Sequence, residues 1–409
     1  MTNFYLRQWD YLHHTVQPFY WTVFNHETDQ STRFNFKHDA IVYRKTLPHA
    51  TLYFHWYEEQ FSKLNVSMEP PESLAELYRQ RAQELRDAYK YLRLSFSGGA
   101  DSLTALHSFV DNNIHLDEIV VVDYFDGSNY DDPMKSSGRE IKLHALPYLK
   151  QIAHLIPNTK LTVVNTTAKD DNDMFNDFSD APEKHPTFDT LEGQLHFGVE
   201  TWSLGKFMMQ TPRESCCDIH GGSKVKLFKN RDKWYFYWVD GAMSDLNMCA
   251  AYPEDFFISR TIPNLYLKTV YLLKNFYISQ KFDDVTINEF PDHPKNHPAF
   301  NVGLGRNLAP ALATYKTYFS SHNPLDWKNH FISGWHSTLF FKNVVNTPEG
   351  DKWIKNYKQN ITSIIATAGD EWNVDKLGNP VPAFGRKGHL SKFYCLNDGR
   401  AYDSVDAKK

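Results

Sequence analysis

Between Tyr91 and Phe109 the chain reads YLRLSFSGGADSLTALHSF, and no other stretch limits the fold as tightly. YLRLSF is a short apolar run of strand character. After Gly98-Gly99, the residues Leu103, Leu106, Phe109 and Val110 recur at helical spacing. A strand that turns through two glycines straight into a helix leaves the first N–H groups of that helix unpaired at the strand's end. Together with the helix dipole, those groups favour an anion. Ser97 and Ser102 bring hydroxyls to the same point, so the stretch reads as a phosphate site.

The surrounding text agrees with that arrangement. Ser73 and Glu76 predict a capping box opening a helix, with Leu74, Leu77, Tyr78, Leu85, Tyr89 and Leu92 on one stripe. Downstream, LDEIVVVDYFDG carries the continuous apolar run of a parallel strand buried on both faces. Residues 138–155 follow a helical pattern interrupted at Pro147, and KLTVVNTT predicts another buried strand. The order β-turn-α-β-α-β predicts an α/β fold with a doubly wound, mostly parallel sheet. Ligands of such sheets sit at the carboxyl ends of strands, where Ser97, Asp123 and Asp126 fall.

The remaining regions are read more coarsely. Residues 1–70 form a small β-rich segment, with a hairpin around Glu27–Ser31 and a strand in TLYFHWY. Residues 71–260 form the α/β domain. Residues 261–409 are mostly helical, most clearly in ISRTIPNLYLKTVYLLKNFY. Inside the α/β domain, KVKLF and KWYFYWVD predict a strand pair, and the acidic, turn-rich stretch 168–190 reads as a surface insertion or lid. The basic stretches Arg79 to Arg93 and Lys224 to Lys233 read as solvated faces.

Charge and cysteine usage exclude several classes. The net charge of −5 disfavours direct nucleic-acid binding. The four cysteines (Cys216, Cys217, Cys249 and Cys395) are irregularly spaced and suit neither a disulfide framework nor a zinc site. With no long apolar run and no signal-like start, the expectation is a cytoplasmic protein without a membrane partner.

Ser97-Gly98-Gly99-Ala100-Asp101-Ser102 has the form SGGxDS. It lacks the lysine and the longer span of GxxxxGK[ST], and it differs from GxGxxG turns. A loop this short offers amides and hydroxyls to one compact phosphate group, with Asp101 available to a Mg²⁺ bridging phosphates. Cations must come from elsewhere. Lys224, just after HGGS, is the first candidate; Arg139, Lys268, Arg386 and Lys387 follow.

On these residues the chain resembles the N-type ATP pyrophosphatase superfamily, over Leu92–Thr167 in particular. Among its members, the synthetase domain of asparagine synthetase looks most similar, through the helix before the loop and VDGAMSD (Val239–Asp245). The resemblance implies a five-stranded parallel sheet and cleavage of ATP between its α and β phosphates. It further implies adenylation of a substrate oxygen, then displacement of AMP by a nucleophile. Ser97, Gly98, Gly99, Asp101 and Ser102 would hold pyrophosphate and Mg²⁺, and Val122, Asp123 and Tyr124 would hold adenine. Lys224 and Arg139 would serve as catalytic cations. Asp245 would be a second metal ligand, with Asp240 and Gly241 beside it.

The start Met1-Thr2 lacks the cysteine of a glutaminase, and 70 residues are too few for such a domain. The expectation is an ATP-dependent ligase forming an amide or C–N bond. Its substrate would be a small molecule or a modified nucleotide or base, with nitrogen from ammonia, an amine or a separate subunit. A homo-oligomer stays open. Two other readings compete: a sulfurtransferase or reductase of the same superfamily, for which CxxC is missing, and a non-catalytic nucleotide-binding scaffold, against which the intact loop argues.

Overall fold

The computed structural model describes residues 19–34, 40, 43–44, 46–123, 141–165, 207, 216–221, 226–230, 232–238, 252–279, 348, 372–374, 380–382 and 391–402. It opens with an antiparallel sheet of order β2-β1-β3, from β1 (Phe19–Asn25), β2 (Gln30–Phe34) and β3 (Ala50–Trp56). The hairpin therefore lies where the sequence predicts it, with Asp29 in the left-handed conformation at the turn. A single-turn helix α1 (Glu58–Phe61) follows, then α2 (Leu74–Ala88). Ser73 caps α2 by accepting from the Glu76 N–H at 3.1 Å. The reciprocal half of the predicted box is replaced, because the Glu76 carboxylate turns outward to Arg79.

The main sheet is five-stranded and entirely parallel, in the order β10-β7-β4-β5-β6. Its strands are β4 (Tyr91–Ser95), β5 (Glu118–Asp123), β6 (Lys160–Asn165), β7 (Cys216–His220) and β10 (Tyr252–Asp255). The chain enters at β4, grows the sheet one way through β5 and β6, then resumes on the other side of β4 with β7. The strand order reverses between β4 and β7, and a crevice forms at such a point above the carboxyl ends. Helix α3 (Ala100–Val110) links β4 to β5. Between β5 and β6, the helical stretch is broken as the sequence predicts, into a π-helical turn (Ile141–Ala145), α4 (Leu146–Gln151) and a 3-10 turn (Ala153–Leu155), with the first break next to Pro147. Pro147 sits in the first turn of α4, where its missing N–H costs nothing.

The two faces of this sheet differ. Leu92, Leu94, Phe96, Ile119, Val121, Cys217 and Ile219 join residues of α2, α3 and α4 in one apolar core. On the opposite face lie Arg93, Glu118 and Asp218, each at most 2 % exposed. Arg93 pairs with Asp218 at 2.5 Å, and Glu118 accepts from Tyr91, Lys160 and Thr162. The Arg79–Arg93 stretch is therefore not a solvated face throughout. Arg81 and Arg93 are buried and paired with carboxylates.

A second sheet, antiparallel in the order β14-β13-β9-β8, uses β8 (Lys226–Asn230) and β9 (Lys233–Tyr237), the predicted strand pair. Its other half is β13 (Phe393–Cys395) and β14 (Ala401–Tyr402). Helix α5 (Asn264–Ser279) follows β10, and β11 (Trp372–Val374) pairs with β12 (Pro380–Pro382). Trp21, Phe54, Phe61, Phe236, Trp238, Tyr266 and Tyr394 belong to a second apolar core, which joins the first sheet, the second sheet and α5. Among the described residues no helix is long and apolar enough to cross a membrane.

Candidate functional site

The site is built at the carboxyl end of the central strand. Phe96 N–H donates to the Val120 carbonyl at 2.8 Å, so pairing with β5 runs one residue past β4. The chain then turns sharply at Gly98, whose φ is +71°. A Cβ there would lie 2.8 Å from Ala145 Cβ, so only glycine allows the turn to pack on the π-helical segment. Gly99 is the N-cap of α3, in extended conformation and with no side chain capping the helix. Its carbonyl accepts from Leu103 N–H at 2.9 Å. The first-turn amides of α3 are thus left uncapped by any side chain at the centre of the sheet, where an anion is favoured.

The two serines brace this turn. Ser97 Oγ accepts from Gly99 N–H at 3.2 Å and lies 3.3 Å from Ser102 Oγ. Ser102 Oγ donates to the Gly99 carbonyl at 3.0 Å. Ser97 is exposed and Ser102 buried, so Ser97 has the hydroxyl open to a ligand. Asp101 is half-buried in the first turn of α3. Gly221, just past β7, rests on this turn from the neighbouring strand. A Cβ on Gly221 would meet the Asp101 carbonyl at 3.2 Å and Ser102 N at 3.3 Å.

At the end of β5, Val122 is buried and Asp123 pairs with Lys142 at 3.7 Å. Lys142 lies in the same π-helical turn as Ala145, on which Gly98 packs. It is a cation beside the loop that the sequence reading passed over in favour of its neighbour Arg139. Ser97, Gly98, Gly99, Asp101 and Ser102 are brought together in one turn, and Val122 and Asp123 end the next strand. Lys268 is held elsewhere: it pairs with Glu69 at 2.7 Å and donates to the Pro70 carbonyl. Tyr124, Asp126, Arg139, Lys224, Asp240, Gly241, Asp245, Arg386, Lys387 and the stretch 168–190 lie outside the described residues.

His220 and Ser95 also went unremarked in the sequence. They end the described spans of β7 and β4, the strands flanking the reversal of strand order. Burial, with the charge of Arg93 adding to it, pushes His220 down to about 3. The signal that marks His220 in the sequence is its place before the glycine pair of HGGS, which first drew attention only to Lys224.

A Mg²⁺ bound between phosphates needs one or two carboxylates and no dedicated cage. The half-buried Asp101 at the uncapped helix start fits that requirement. Among the described residues no group of three or more His, Cys, Asp or Glu is arranged to hold a metal by itself. Cys216, Cys217 and Cys395 are buried, and burial pushes the Cys217 thiol well up. No family model matches this chain, and no curated protein matches it.

Proposed function

We propose that the protein is an ATP-dependent, AMP-forming ligase of the N-type ATP pyrophosphatase kind, with an adenine nucleotide α-hydrolase-like fold. One observation carries the reading: an uncapped helix N-terminus, reached through a positive-φ glycine, ends the central strand beside the reversal of strand order. The first-turn amides of α3 hold the β and γ phosphates. Ser97 supplies an exposed hydroxyl, and Ser102 keeps the turn in shape. The ends of β5, Val122 and Asp123, border the adenine. Asp101 would hold Mg²⁺, which when bound neutralises charge shared between neighbouring phosphates.

The reaction breaks the bond between the α phosphorus and the oxygen bridging it to pyrophosphate, while a substrate oxygen bonds to that phosphorus. Negative charge grows on the departing pyrophosphate. Fixed amides stabilise it without reorganising, and Lys142, in the turn on which Gly98 packs and paired with Asp123, is the described cation best placed to assist. A nitrogen nucleophile, from ammonia, an amine or another subunit, then displaces AMP to form an amide or related C–N bond.

Sulfur transfer is the weaker reading, because a transferring cysteine needs an accessible thiolate and the three described cysteines are buried. The deciding experiment incubates the protein with ATP, Mg²⁺ and a panel of acids and amines. AMP and pyrophosphate are the expected products; ADP would remove the assignment. ATP binding without turnover in any mixture would favour a scaffold. Asp101→Ala is expected to abolish AMP formation while leaving the melting temperature within a few degrees, since a half-buried carboxylate at the loop is not core. A large drop in melting temperature would contradict that role.

A further inference from the structure

Among the described residues, Ser95 Oγ and His220 Nε2 are buried at the carboxyl end of the main sheet without a hydrogen-bond partner. His220 is 3 % exposed. Strand alternation fixes where they face. Leu94, Cys217 and Ile219 belong to the core that contains α3, so Ser95, Asp218 and His220 face the other way. Pairing runs Leu94 opposite Ile219, and the next step brings Ser95 level with His220 on strands about 4.8 Å apart. The residue after His220 is Gly221, whose backbone lies against Asp101 and Ser102. The carboxyl end of β7 therefore adjoins the start of α3, and both orphan atoms sit at that end of the sheet, on the face that α3 does not cover.

The fold gives His220 no role of its own. One step below it on the same face, the Arg93–Asp218 pair is already matched. An imidazole left unsatisfied in so buried a place costs stability, and an apolar side chain would avoid that cost. Burial and Arg93 together keep the ring neutral. The pair thus offers two uncharged donors, a ring N–H and a hydroxyl, beside an anion site.

We propose that His220 Nε2 and Ser95 Oγ donate hydrogen bonds to the α-phosphoryl oxygens of the bound nucleotide. This rests on the nucleotide reading above, in which the terminal phosphates occupy the amides of α3. The α-phosphoryl group is the next along the nucleotide, and it carries the reacting phosphorus. Donors fixed there stabilise the charge that shifts as the bond to pyrophosphate breaks.

The test is titration calorimetry of the full chain with three probes: AMP, α,β-methylene-ATP with Mg²⁺, and pyrophosphate with Mg²⁺. His220→Leu is expected to weaken AMP and the ATP analogue by about tenfold, the loss of one hydrogen bond, while pyrophosphate binds as before. His220→Gln, which keeps an N–H at the Nε2 position, should recover part of the loss. The ligand-free Leu variant should melt no lower than the wild type, because the unsatisfied atom is gone. Equal weakening of all three probes would make His220 a support of the loop and overturn the assignment; so would three unchanged affinities. A wild type that binds none of the probes would remove the nucleotide reading, and this assignment with it. If His220→Leu does not fold, Ser95→Ala and the ¹⁵N shift of the wild-type His220 ring on adding AMP take its place. An unmoved ring resonance would overturn the assignment.

Discussion

At the scale of single residues, the loop glycines are not equivalent, and their differences predict separate outcomes. Gly98 has φ +71° and faces the backbone and Cβ of Ala145, so Gly98→Ala meets both a strained conformation and a clash. The expected cost is about 2 kcal/mol or more, with loss of pyrophosphate affinity. Gly99 has an ordinary extended backbone and caps α3 without a side chain. Gly99→Ser supplies a capping hydroxyl but sets a Cβ 3.2 Å from Ser97 Oγ, which must shift, so thermal unfolding should show stability within about 1 kcal/mol of the wild type, while pyrophosphate binds more weakly because the serine now occupies the amides. SGGxDS displayed this loop in the sequence because its chemistry is local. His220 was not legible in the same way, since its meaning depends on a strand 125 residues away in the chain.

His220 also gives a pH prediction with a definite sign. Its folded value of about 3 lies well below the ordinary 6.5. Between those values the unfolded chain takes up a proton that the folded chain refuses. The contribution to stability is therefore complete above pH 6.5 and is lost as the pH falls, by about 1.4 kcal/mol per unit. Urea unfolding of wild type and His220→Leu should diverge by about that amount between pH 6 and pH 5, in favour of the variant. Parallel pH dependence in the two proteins would mean that the ring is not held neutral.

At the scale of elements, the legible pieces were those whose period is long enough to read. β5, with five buried residues in six, stands out as a central strand, and α2 shows a helical stripe. β10 is four residues with a proline, too short for any period to register, yet it completes the parallel sheet. Beyond its ladder with β7, one side chain from α2 makes several of the contacts to β10. Arg81 donates to Glu254 at 2.9 Å, to the Asp255 carbonyl at 2.7 Å and to Glu84 at 2.8 Å, with only 1 % of its side chain exposed. Sequence reading set Arg81 among solvated charges, because charge alone does not reveal a distant partner. Arg81→Met would leave Glu254 and Glu84 short of their counter-ion and take a donor from two backbone carbonyls. Breaking such a pair costs about 3–5 kcal/mol. Hydrogen exchange should accelerate first at the amides of β10; uniform acceleration across the sheet would refute the local role of Arg81.

At the scale of the whole molecule, the two cores meet along α5. Leu265 and Leu272, seven residues apart, pack with the core of the main sheet. Tyr266, Leu267, Val270, Tyr271 and Leu273 pack with the other core. Such a helix, apolar on more than one side, reads in the sequence only as a strong helix; its double role needs both partners in place. The second core depends on β13, whose three residues carry no readable period but whose Tyr394 stacks on Phe236 at 5.1 Å and on Trp238 at 5.3 Å. Tyr394 is buried and its hydroxyl has no partner, so its ring, not its polarity, supports the core. Tyr394→Ala should cost about 3–5 kcal/mol, whereas Tyr394→Phe should be neutral or slightly stabilising. Because α5 is a wall of both cores, Tyr394→Ala should lower a single calorimetric transition, and Mg²⁺ with pyrophosphate should raise that same transition from the other core. Two transitions, with only the upper one responding to pyrophosphate, would show instead that the cores melt independently and that α5 does not couple the aromatic half to the loop.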